Sequence, residues 1–232
     1  MARSAARLDE ADGLSHNLAG QKLGRKGRVT RERILAATAE LLAGPRDVAI
    51  SMSAVARQAS LGLTSLYNYF TDLTELLLAL LEPVMESAEE AFLDQLRRRW
   101  PDAELGVRCS TFVFAYHAFW SRNARLLHLR NSMSDHHDQR MMMHRVNSTQ
   151  PIIHLLVEQM GGDPTAPRSP EYAMATMLMI GIERSVTVAT NEELPWLLAQ
   201  DIHHDATHFL HPGARLLELA IRDVRARNGT AD

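Results

Sequence analysis

Very little in this sequence points to covalent or membrane chemistry. It holds one cysteine, Cys109, so no internal disulfide can form, and that usage fits a reducing, cytoplasmic compartment. The longest apolar stretch, Tyr172 to Ile182, is well short of the ~18 residues a membrane span requires. Met1 to Gln21 has no apolar segment of the kind a secretory leader carries, so no leader is expected. Strand signals are nearly absent: there is no alternating Val/Ile/Thr run, and no Asn-Gly pair stands between two such runs. The sequence has no Gly-rich phosphate loop ending in Lys-Ser/Thr, no G-x-S-x-G and no H-E-x-x-H, which removes the commonest signatures of nucleotide, acyl and zinc-peptide hydrolysis. Cys109 sits among apolar helical residues and reads as a small buried hydrophobe, not a nucleophile. No enzyme is expected.

What is present is helical periodicity nearly throughout. The 232 residues are 46% apolar and 23% charged, an ordinary composition for a chain with a sizeable core. The net charge of −3 is unevenly spread. Residues 1–78 hold 10 Lys/Arg against 8 Asp/Glu, a balance of +2, and the remainder holds 15 against 20, a balance of −5. Six of the basic residues fall between Lys22 and Arg33 with one acid, Glu32, among them. Positive charge thus gathers where contact with a phosphate backbone would need it.

The organisation follows from caps and breakers. Residues 1–27, with four glycines and little periodicity, read as a flexible basic tail. Thr30 is the expected N-cap of a first helix carrying Ile34, Ala37 and Leu41, which Gly44-Pro45 ends. Ser51 caps a second helix over Met52 to Gln58. Ser60-Leu61-Gly62 makes a turn, a third helix covers Leu63 to Tyr69, and Asp72 caps a fourth. Further helices are expected at about 84–99, 103–121, 124–131, 135–160, 170–191 and 205–226. The expected fold is all-α, with about nine helices: a three-helix head over 28–78 and a larger helical domain over 79–228. Two compact helices joined by a short turn, the second ending in aromatics, describe a helix-turn-helix, whose second helix fits the major groove of DNA.

Val55-Ala56, Ala59, Leu61, Leu66-Tyr67, Phe70 and Leu76 carry a resemblance to the head of the TetR family of one-component bacterial regulators. The similarity covers about fifty residues, and the Leu-Tyr-x-x-Phe ending followed by a cap and an apolar helix is its most specific part. The sequence departs from the family pattern at three positions. Ser60 stands at the usual turn glycine, so either its backbone is strained or Gly62 supplies the freedom. Tyr69 replaces a frequent histidine, and Leu73 replaces a frequent lysine at the start of the fourth helix.

The resemblance implies a homodimeric repressor, cytoplasmic and on the nucleoid when bound, that releases a palindromic double-stranded operator when a small, largely apolar effector binds. On this reading Leu63, Thr64, Ser65 and Asn68 face the bases, while Tyr67, Tyr69, Ser51 and Thr30 hold phosphates. An effector cavity is implied in the larger domain, and the mixture of aromatics and methionines there nominates Phe112, Tyr116, His117, Trp120, Met142 and Met177. Two late apolar helices would pair as a four-helix bundle across the dimer axis through Met174, Leu178, Ile182, Leu210, Leu217 and Val224, although the same spacing describes the core of a single chain. The fourth helix would transmit the signal, bending at Pro83.

Two other readings stand beside this one. A helical adaptor could keep the head without binding DNA, and the Ser60 and Leu73 departures suit it. The His136-His137-Asp138 and His203-His204-Asp205 pairs resemble those of HD metal-dependent phosphohydrolases, and His203, His204 and His208 could grip a metal if they share a helix face. Histidines in polar loops are mostly solvated, so no cofactor is expected.

Overall fold

The structure is a computed structural model and describes residues 24–45, 47–191 and 207–229. Its described residues are helical, with no strand among them. Among the described residues nine α-helices follow one another: α1 Arg25–Ala43, α2 Met52–Gln58, α3 Leu63–Tyr67, α4 Leu73–Glu86, α5 Leu105–Arg122, α6 Ala124–Asp135, α7 Gln139–Met160, α8 Pro170–Ala189 and α9 Thr207–Gly229. The chain forms two compact units that divide between Pro83 and Val84, slightly later than the expected residue 78. Helix α4 starts in the first unit and ends in the second, continuous through Pro83.

The first unit is built around Ile34, Ala37, Val55, Ala56, Leu66, Phe70 and Leu76, all buried. They come from four successive helices and from Phe70 just past α3, so each element turns an apolar side inward and these sides meet. Ser51 and Asp72 cap as expected: Ser51 Oγ accepts from Ala54 N at 3.2 Å, and Asp72 Oδ1 accepts from Glu75 N at 2.9 Å. Thr30 does not cap. Helix α1 begins at Arg25 behind Gly24, and the Thr30 hydroxyl bonds back to the Lys26 carbonyl at 3.0 Å. The run of good helix formers, Arg25, Lys26, Arg28 and Arg31, outweighs the roughly 1 kcal/mol that Gly27 costs inside a helix.

The second unit departs from expectation at its start. The single helix expected over 84–99 is instead a π turn, Glu89–Leu93, followed by a 3₁₀ turn, Asp94–Leu96. Ala88, Phe92 and Leu96 are all buried at four-residue spacing. The carbonyls freed by this irregularity find partners. Gln159, on α7, donates to Leu96 O at 2.8 Å and Arg98 O at 2.7 Å, and accepts from Trp100 N at 2.9 Å. Arg225, on α9, donates to Gln159 O at 2.8 Å and Trp100 O at 2.9 Å. Beyond it, α9 packs against α5 and α8, while α7 packs between α6 and α8.

Candidate functional site

In the first unit, α3 is held from behind and open in front. Leu66 has no exposed surface and Phe70 has 1%, whereas Leu63 is 42% and Tyr67 43% exposed. Thr64, Ser65 and Asn68 are exposed as well. Among the described residues no side chain bonds to the polar ends of Thr64, Ser65, Tyr67 or Asn68, so their donors and acceptors face solvent. Arg25, Lys26, Arg28 and Arg33 are exposed along α1, and the Arg31 guanidinium sits 5.2 Å from the centre of the Phe70 ring.

The other nominated head residues are differently employed. Thr30 lies inside α1, not at a helix start. The Ser51 hydroxyl is engaged in its cap and pairs with Ser53 Oγ at 3.1 Å. Tyr69 is half-buried against the head core, as is Leu73, which explains an apolar residue at the start of α4. The turn resolves on Ser60. Its φ is 52°, and Gly62 takes an ordinary −67°. Ser60 N donates to Arg57 O at 3.1 Å and Leu61 N to Ala56 O at 2.8 Å, the two bonds of a Schellman ending of α2.

In the second unit, the six nominated pocket residues divide. Phe112, Tyr116 and Trp120 are core: Phe92 meets Tyr116 edge-on at 5.1 Å and Phe119 at 5.2 Å, and Tyr116 meets Trp120 at 6.3 Å. Burial raises the Tyr116 phenol well above its usual range, so it stays neutral. His117 is half-buried, with its pKa lowered by burial. Met177 is 66% exposed on α8. Met142 alone of the six lines either of two clefts found between α6, α7 and α8.

Each cleft has a volume of about 420 Å³, within the range of small-molecule sites, and Arg145, Ile180 and Glu183 belong to the walls of both. One cleft is polar, with His128, Asn131, Asp135 and Arg184. The other is apolar, with Met142, Val146, Ile153 and Tyr172. Behind the shared wall lies a charge cluster. Glu183 Oε1 accepts from Arg145 Nε and from Asn131 Nδ2, both at 3.2 Å, and Arg130 Nη2 stands 3.7 Å away. Arg145 Nη1 reaches Asp135 Oδ1 at 3.3 Å, and Arg130 stacks 5.7 Å from Trp120. Arg130 and Glu183 are 4% and 6% exposed. Sequence reasoning missed this cluster, although a signal was available: Arg130 continues the stripe of Leu126 and Leu127, and Glu183 interrupts that of Met179, Ile182 and Val186.

The expected dimer stripes also divide. Ile182, Leu210, Leu217 and Val224 are buried within their own chain at 0–4% exposure, so they offer a partner almost no surface. Met174 and Leu178 are half-buried. The exposed large apolar residues of these two helices are others: Met177, Leu216 and Leu219, with Ile180 at the clefts. Cys109 has no exposed surface, and burial pushes its thiol up to about 12. Among the described residues no three His, Cys, Asp or Glu side chains are placed to hold a metal, and His203 and His204 lie outside those residues. Among them, too, no helix is long and apolar enough to cross a membrane. No family model matches the chain, and no curated protein does.

Proposed function

We propose that this chain is a DNA-binding transcriptional regulator of the TetR type, acting without catalysis as a homodimer on a palindromic operator. The observation that supports it most is the construction of α3. Two buried anchors, Leu66 and Phe70, fix the helix, and its outward side carries Leu63, Thr64, Ser65, Tyr67 and Asn68 with unused polar groups. A short rigid helix with free donors and acceptors suits base edges in the major groove. Asn68 pairs with adenine N6 and N7, and Thr64 and Leu63 give a thymine methyl an apolar contact. The exposed basic residues of α1 supply the sequence-independent attraction to phosphate.

One such head covers too little DNA for tight specific binding, so two copies must act together. Met177, Leu216 and Leu219 are exposed apolar residues of α8 and α9 that a second copy would cover. Helix α4, common to both units, is the element through which an effector in the larger unit reaches the head.

The test is a mobility-shift titration of the full chain on DNA from upstream of its own coding region. Asn68→Ala removes an exposed side chain with no bond inside the protein, so melting is unchanged. Loss of a bidentate base contact weakens operator affinity roughly tenfold or more. A variant that binds like the wild type, or a wild type that prefers no fragment over random DNA, would refute the reading and favour the adaptor alternative.

A further inference from the structure

The paired clefts between α6, α7 and α8 carry chemistry that the regulator reading leaves open. Their common wall has one unusual atom. All donors to Glu183 converge on Oε1, and Oε2 has none among the described residues. Oε2 is nevertheless not sealed in, because the one buried side-chain atom lacking a partner among those residues is His144 Nδ1. Glu183 therefore offers an accessible acceptor to the clefts it lines.

The surrounding charge decides what can use that acceptor. An anion would meet a carboxylate oxygen directly. A cation would enter a wall where Arg145 and Arg184 already balance Glu183 and Asp135, with the buried guanidinium of Arg130 3.7 Å behind Glu183 adding a further positive charge. A neutral donor satisfies Oε2 and disturbs no charge balance. The adjoining apolar cleft, with Val146, Ile153 and Tyr172, takes the rest of the molecule.

We propose that this paired cleft binds a neutral, mainly apolar molecule whose hydroxyl donates a hydrogen bond to Oε2 of Glu183. As an effector it belongs to the regulator reading above, but its binding needs no DNA and is measured separately.

Four probes with one naphthalene body separate the head-group chemistry: 2-naphthol, 2-methoxynaphthalene, 2-naphthoate and 2-naphthylmethylammonium, each titrated calorimetrically into the full chain at neutral pH. The expected result is saturable 2-naphthol binding, weakened at least tenfold by O-methylation and at least tenfold by either charge. Glu183→Gln removes the carboxylate and lowers naphthol affinity by a similar factor. Because that change touches a buried ion pair, Val146→Trp serves as the second variant: Val146 is 51% exposed at the cleft, so the indole fills the site without entering the core. It also costs naphthol at least tenfold. Absence of naphthol binding, equal affinity for either charged analogue or the methyl ether, or wild-type affinity in Val146→Trp would each overturn the proposal. Naphthol binding without operator binding sinks the regulator reading alone, and the converse sinks the cleft alone.

Discussion

Replacing Ser60 by glycine should stabilise the head, and the turn geometry sets the size of the gain. Ser60 occupies the left-handed region at φ 52° as the residue just past the end of α2. That conformation brings a side-chain-bearing residue's Cβ against its own backbone at a cost of roughly 1–2 kcal/mol. It is kept because the two Schellman bonds, to Arg57 O and Ala56 O, satisfy the helix end while Leu61 packs on the head core. Glycine removes the strain but loses more backbone entropy on folding, by about 0.5–1 kcal/mol, so the net gain is about 0.5–1 kcal/mol. In a unit of this size each kcal/mol moves the melting temperature by roughly 4–8 °C. Ser60→Val should move it the other way, since a β-branched residue fits that region worst. Calorimetry on the full chain, with the head's transition assigned by Phe70→Ala, reads both. Operator affinity should change less than twofold, because Ser60 is not among the outward residues of α3. A glycine variant no more stable than the wild type would refute the claim that this turn stores strain.

Two further substitutions probe the second unit. Arg225→Met keeps an apolar stem but leaves the carbonyls of Trp100 and Gln159 without their donor, costing about 3 kcal/mol in urea unfolding at neutral pH. The Arg225 guanidinium also donates to Asp102, and that bond holds the carboxyl below its ordinary 3.8. A depressed acid stabilises above its unfolded value and stops doing so as pH falls through the folded one. Wild-type stability should therefore drop below about pH 4, and the variant should lack that component. Burial, and then the charge of Arg130, push His144 down to about 4. The unfolded chain thus takes the proton first, and stability falls as pH drops from 6.5 towards 4. His144→Leu should flatten that slope in urea midpoints between pH 7 and 5, and should gain about 1 kcal/mol at pH 7 by removing a buried nitrogen without a partner. An unchanged slope would show that His144 is not the group responsible.

Most local signals were legible, Thr30 excepted, because helix formers upstream of it carried α1 back to Arg25. Ser51 before Met52 fixes the start of α2, Gly161 at φ 81° closes α7, and Asp72 before the leucines of α4 fixes its cap, because each acts within a single turn of chain. The head core was legible for the same reason, its stripes being short and close in sequence. What the sequence hides depends on partners far away along the chain. Gln159 and Arg225 make the break after Glu86 tolerable, yet they stand on α7 and α9, and no pattern within 84–99 announces them. Core and interface present the same problem. Met177 and Leu178 are adjacent and equally apolar, and only the packing of α7 and α9 against α8 decides which is left at the surface. The charge cluster is the instructive case. Arg130 and Glu183 lie 53 positions apart and each interrupts an otherwise apolar stripe. Burying one such charge alone is prohibitive, so a pair of interrupted stripes in one helical bundle implies that the two charges meet. The clefts between α6, α7 and α8 are thus written in the sequence as two broken stripes, whereas Phe112, Tyr116 and Trp120 of α5 mark only core.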